Sequence, residues 1–214
     1  MRGLIINTAL SATQVLVVDG AKRFFEQGIS GEQHSKSIMQ KIDVAFERSG
    51  LRLDECDFFA VVVGPGSFTG IRIGVSIIKA LGFSKNVPVI ALDTLELLST
   101  GESYNNDKKL FAILKGVADE WFIRNQSAKV PQSKLTTEND LIAMLDGDCV
   151  VCHLEGEQPN TKSAIALSCD ITEEKLFFGA KQKYDAKDFS TAQSIQPQYL
   201  RLSQAELQKK DCKK

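Results

Sequence analysis

From Gly64 to Gly70 the chain reads Gly-Pro-Gly-Ser-Phe-Thr-Gly, the stretch whose residue types and spacing best suit chemistry. Glycine tolerates positive φ and lets other backbone come close, and Pro65 stiffens the turn. If the loop opens a helix, Ser67 or Thr69 could cap it, and the remaining free N–H groups could hold an anion. Two phosphate-binding patterns are excluded by inspection. A phosphate loop ends in Gly-Lys-Ser/Thr, whereas Ile71 follows Gly70. A dinucleotide fingerprint needs G-x-G-x-x-G, and the last spacing here is one residue too long. Ser67 with His34 suggests a hydrolase. A nucleophile, however, needs a base in reach and an orienting third group, and this loop is not the G-x-S-x-G elbow.

A second motif, Cys149-Val150-Val151-Cys152-His153, matches the haem-attachment pattern C-x-x-C-H. In a strand the two cysteines would point to opposite faces. Their Cα atoms would lie roughly 10 Å apart, too far for a disulfide. Two small core residues are the plainer reading, so neither haem nor metal is expected there. His34, near a helix start, reads as a capping or interface residue, and Trp121 as core packing.

These residues need elements to hold them. Leu4–Thr8, Gln14–Asp19 and Arg23–Gln27 read as a meander of three strands, turned at Ser11–Thr13 and Asp19–Gly20. Ile38, Ile42, Ala45 and Phe46 share one face of a helix that Gly50 ends. Phe58–Val63 is a continuous apolar run that suits a strand buried on both faces. A helix over Ile71–Phe83 follows the glycine loop, then a strand over Val87–Leu92 and a helix capped by Thr94. After the polar stretch Thr100–Lys109 the pattern fades. Leu110–Leu114, Glu120–Arg124, Asp148–His153 and Gln198–Leu202 read as strands, and Thr137–Leu145 as a helix. Thr172–Ser190 gives no clear reading, and no internal repeat is visible. Three strands, helix, strand, helix, strand is the order of actin-like and sugar-kinase-like domains, with right-handed crossovers onto one sheet. The fold class is therefore α/β, with an order that suits an actin-like (ASKHA, ribonuclease H-like) fold. Residues 1–100 form one subdomain and 101–214 a smaller second one, whose tail from about 195 can pack back on the first.

The 214 residues carry 26 basic and 27 acidic side chains, a net charge of −1. A chain that grips nucleic acid alone usually has a basic excess, because phosphate neutralisation supplies most non-specific affinity. If this one serves RNA, something else holds the RNA. The Lys-rich end (Lys209, Lys210, Lys213, Lys214) reads as a solvated terminus. The apolar run after Met1 is too short for a signal sequence, no run reaches the roughly 20 residues of a membrane span, and five cysteines fit reduced thiols. A cytoplasmic location is expected.

The segment Val63–Ala80 closely resembles the hallmark of the TsaB/YeaZ family. Leu4–Ala9, Glu32-Gln33-His34-Ser35 with Ile38 and Ile42, Val87-Pro88-Val89-Ile90 and Pro197-Gln198-Tyr199-Leu200-Arg201 resemble further family segments in the same order. The resemblance implies a two-subdomain actin-like fold and a non-catalytic role in tRNA modification. Such a subunit binds and activates a TsaD-like catalytic subunit, which installs threonylcarbamoyl on the adenosine beside the anticodon of tRNAs reading codons that start with adenine. A TsaE-like small ATPase joins them, a homodimer is an option, and tRNA is met only through the complex. The related catalytic subunits hold a metal with two histidines at i, i+4, whereas Ile38 stands four residues after His34. Asn7 stands where actin-like ATPases have an aspartate, and Leu114-Lys115-Gly116 replaces an Asp-Ala-Arg-like stretch. No intrinsic cofactor, ATP or metal is expected, nor catalysis. The alternatives are an independent actin-like ATPase or small-molecule kinase and, last, a peptidase. Gly70, Gly74, Ser76 and Ala80 form a small-residue stripe, read either as packing within the chain or as a subunit interface. The candidate partner surface comprises His34, Ile38, Met39, Ile42, Phe68, Gly70, Ile71, Gly74, Val75 and Ile78.

Overall fold

A computed structural model describes residues 1–102, 107–161 and 163–201. The lysines of the C-terminal end, Leu202 and part of the polar stretch after Thr100 lie outside these.

The first sheet is laid down by β1 (Arg2–Asn7), β2 (Gln14–Asp19), β3 (Lys22–Gln27), β4 (Phe58–Gly64) and β5 (Val89–Asp93) in the order β3-β2-β1-β4-β5. The meander β1-β2-β3 is antiparallel, and β4 and β5 join it in parallel. The apolar run of β4 is buried on both faces, as such a run requires. One face carries α1 (His34–Ser49) and α2 (Phe68–Lys85), which connect the parallel strands. In α1, Ile38, Ile42 and Ala45 turn inward, and Gly50 takes the left-handed cap at φ 68° and donates to Phe46 O and Glu47 O.

The other face is covered by α3 (Thr94–Ser99) and by α5 (Glu173–Asp185), which returns to β1, β2 and β5 from far along the chain. Phe58 meets Tyr184 of α5 with ring centroids 5.2 Å apart. The return to the first sheet thus begins at α5, well before residue 195. The cap of α3 is Asp93, not Thr94: the Asp93 carboxylate accepts from Leu95 N and Glu96 N.

The second sheet comprises β6 (Lys109–Lys115), β7 (Glu120–Asn125), β8 (Ser133–Thr137), β9 (Cys149–His153) and β10 (Ile165–Ser168), in the order β10-β9-β6-β7-β8. β6-β7-β8 is again an antiparallel meander, with β9 and β10 added in parallel. The two sheets therefore repeat one topology, a duplication that no repeat in the sequence announces. α3 fills the space between them, and one continuous core runs from the first sheet through α3 and α5 to the inner face of the second. A smaller core on the outer face gathers Trp121, Ile123, Leu141 and Leu145 under α4 (Glu138–Met144). The expected strand at Gln198 is not one: residues 198–200 are irregular.

Candidate functional site

The glycine loop is stapled to the end of the first strand. The Ser67 N–H donates to Ala9 O at 2.7 Å, and the Thr8 hydroxyl donates to Gly70 O at 2.7 Å. Gly64 and Gly66 stand at φ 120° and 155°. A Cβ on Gly66 would overlap the Ala9 carbonyl, and one on Gly70 the Thr8 carbonyl. A side chain at either place would push the loop off β1, which explains the glycines without any ligand. The Ser67 hydroxyl accepts from Gly70 N at 3.2 Å and caps α2. His34 Nδ1 shares a hydrogen bond with Thr13 Oγ1 at 2.7 Å. Ser67 and His34 are thus each held by other partners, and no nucleophile–base pair forms between them.

Above the loop, a cleft of about 770 Å³ opens between the sheets. Its walls are mostly apolar, with Leu10, Ile71, Phe122 and Leu154 among them. Asn7 does not reach it. The residue is fully buried, its amide donates to Gln14 Oε1 at 2.8 Å, and its oxygen accepts from Ala9 N at 3.0 Å. The side chain is spent on the β1–β2 turn and offers no charge to a metal or phosphate. Lys115 lines the cleft, and its backbone N–H donates to Glu157 Oε2 at 2.7 Å. Its ammonium lies 4.3 Å over the Trp121 ring and 3.7 Å from Glu138, on the α4 side. Burial pushes the Glu157 carboxyl above its usual range, against the Lys115 N–H and the charges of His153 and Lys115.

The small-residue stripe splits: Gly70 and Gly74 turn inward, whereas Ser76 and Ala80 are exposed, and the apolar members of the expected partner set lie in the chain's own core. Ile38, Ile42, Ile71, Val75 and Ile78 are at most 4% exposed and pack on the chain's own sheet. A Cβ at Gly74 would sit 2.5 Å from Thr8 Oγ1 and 3.2 Å from Val61 Cγ2. Gly70 and Gly74 let α2 settle on β1 and β4. Of the expected set, Met39 and Phe68 are exposed and His34 is half-buried. The outward stripe of α2 is Arg72, Ser76 and Ala80, flanked by half-buried Ile73 and Ile77. Phe68 belongs to a cluster that the sequence did not disclose. Arg72 lies 3.9 Å over its ring and donates from Nε to the Tyr199 hydroxyl at 2.7 Å. The signal for it was the Pro197–Arg201 motif, whose partner on α2 is set only by folding.

Cys149 and Cys152 point into the outer and inner cores, as their spacing in β9 requires. Burial raises the Cys149 thiol, and the Cys152 thiol is raised by the adjacent Cys169 thiol first and by burial second. Among the described residues no three His, Cys, Asp or Glu side chains converge as metal ligands.

Residues 28–140 match the family profile described as TsaD, tRNA N6-adenosine threonylcarbamoyltransferase. The chain is 32% identical over 96 residues to the tRNA threonylcarbamoyladenosine biosynthesis protein TsaB of Haemophilus influenzae, covering 45% of this chain and 41% of that protein. It is 31% identical over 101 residues to the protein of that name in Escherichia coli, covering 47% and 44%. The matches thus span less than half the length of these curated relatives. In structure it resembles an uncharacterized Pseudomonas aeruginosa protein described as similar to peptidase YEAZ. The TM-score is 0.78 at 18% identity, covering 94% of this chain and 99% of that one. YeaZ from the same organism gives 0.75 at 18% identity, covering 93% and 99%. These likenesses establish the two-subdomain actin-like fold.

Proposed function

Because the chain belongs to the family whose transferase profile spans residues 28–140, within it to the TsaB/YeaZ group, we propose that it is the accessory subunit of a tRNA threonylcarbamoyladenosine machinery. In this reading it binds and activates a TsaD-like catalytic subunit and performs no transfer itself. The observation that carries the reading is local to α1 and α2. The profile match covers both helices and the loop between β4 and α2, yet the residue four after His34 is the buried Ile38. A histidine pair that could bind one metal on one helical face is missing. Asn7, locked into its turn, supports the further proposal that no ATP or metal is held by this chain.

The partner surface in this reading is the outward side of α1 and α2: Met39, Phe68, Arg72, Ser76 and Ala80. Small exposed side chains at Ser76 and Ala80 let a helix come close, with Ile73 and Ile77 beneath. A second copy of this chain could use the same face, and a TsaE-like ATPase would join the assembled pair. No described helix is long and apolar enough to cross a membrane, and a cytoplasmic location is part of this proposal. The test is co-purification with the catalytic subunit, using the double variant Ser76→Arg, Ala80→Arg. Both sites are exposed, so the fold should survive while association is lost. Retained association would sink the interface, and the absence of any association by the parent chain would sink the reading itself.

A further inference from the structure

The segment after Ile195 crosses from one sheet to the other, and each of its contacts is specific. The Gln198 N–H donates to Val63 O at 2.9 Å, at the end of β4. The Gln198 carbonyl sits 3.3 Å from where a Cβ on Gly64 would be, so the glycine loop makes room for this segment. Tyr199 stacks on Phe68, with centroids 5.2 Å apart, and accepts from Arg72. Two residues on, Arg201 Nε lies 2.9 Å from Glu120 Oε2 of the second sheet, close enough for an ion pair though out of line for a hydrogen bond.

Glu120 opens β7, and the far end of that strand is tied to the first half of the molecule by other groups. Arg124 lies 3.4 Å from Glu96 and 3.7 Å from Asp93, and the Ser133 hydroxyl of β8 donates to Asp93 at 2.6 Å. Gln126 donates to Leu95 O and to Ser99 Oγ. Four strand steps separate residues 120 and 124, about 13 Å. A rotation of the second sheet about the Asp93 end, by roughly 10°, therefore carries Glu120 about 2 Å over that lever. That is enough to break its bridge to Arg201.

Building on the partner surface argued above, we propose that residues 197–201 are a clasp. It fixes the angle between the two sheets and couples that angle to the face of α2 where the partner docks. Tyr199 carries the coupling, since one side chain touches Phe68 and Arg72 while its chain neighbour Arg201 holds the second sheet. A partner that moves Arg72 releases Tyr199 and thereby the cleft, and a closed cleft in turn holds Arg72 in place.

Hydrogen exchange on the full chain tests the clasp without any partner. Arg201→Ala and Glu120→Gln should each speed exchange of amides lining the cleft at Ser11 and Lys115–Val117 by roughly two- to fivefold, the span that a half-exposed ion pair supports. The pair Arg201→Glu with Glu120→Arg should restore the parent rate, which a loss of packing alone would not do. Unchanged exchange in the single variants overturns the clasp. Calorimetry with the catalytic subunit tests the coupling. Arg201→Ala, away from the docking face, should change affinity in the same direction as Tyr199→Phe. If exchange responds and affinity does not, the coupling is wrong. If the parent chain binds no catalytic subunit, the functional reading fails while the exchange result still decides the clasp.

Discussion

Glu157 lines the cleft with one carboxylate oxygen on the Lys115 N–H and with burial working against its charge. The folded chain holds its proton to a higher pH than the unfolded chain does. Its contribution to stability is therefore complete below the ordinary glutamate range, near pH 4.3, and is lost as pH rises through the folded value. Glu157→Gln keeps an acceptor for Lys115 and removes the charge. Thermal melts from pH 4 to pH 8 should show the variant more stable than the parent at neutral pH, with the gap closing toward pH 4. A gap that does not change with pH would show that burial of the charge is not the cause. At this scale the sequence was readable where a residue's type alone limits it. Asn7 lacks a charge wherever it points, and Ile38 cannot ligate a metal. Asp93 was not readable, because its partners Ser133 and Arg124 stand far along the chain and on another sheet.

The helix after the glycine loop shows where element-scale reasoning succeeds and where it stops. A cap at Ser67 or Thr69 and the small residues after it could be read from residue types, but that Ser67 is the cap, and which way each small residue turns, are tertiary facts. Thr8 and Val61 occupy the space next to Gly74, so the glycine end of the stripe is filled from within the chain while Ser76 and Ala80 stay outward. Gly70→Ala should accordingly cost about 3 kcal/mol by forcing a methyl group onto the Thr8 carbonyl. That corresponds to a melting temperature lower by roughly 6–12 °C for a chain of this size. A drop under 2 °C would mean that the loop moves freely away from β1. The elements that escaped notice have physical reasons. β10 is a short edge strand, half exposed and without alternation. α5 carries Gly179 in its middle, a poor helix residue, because a Cβ there would lie 2.6 Å from Leu97 Cδ2. Gln198 begins no strand because its N–H goes to Val63 while the chain heads across to the other sheet.

For the molecule as a whole, charge is the property that bears on tRNA. With a net charge of −1 the chain has little to offer a phosphate backbone. Gel-shift titration of the isolated chain with tRNA at 0.15 M salt should give a dissociation constant weaker than about 10 μM, whereas the complex with the catalytic subunit should bind more tightly. Tight binding by the chain alone would assign it a direct part in holding the RNA. The duplicated topology could be read only in its first half, where the strands are long and apolar. The second half repeats the strand order with shorter, mixed-polarity strands, so the pattern survives in space and not in the residues.

The return of α5 to the first sheet bears on how the chain matures on the ribosome. One face of β1, β2 and β5 waits for a helix that ends at Asp185, whereas β5 itself ends at Asp93. At usual translation speeds that interval lasts roughly 5–20 s, during which an apolar face including Phe58 is without its Tyr184 neighbour. The first half of the chain is therefore the part most in need of protection by chaperones while the remainder is being made.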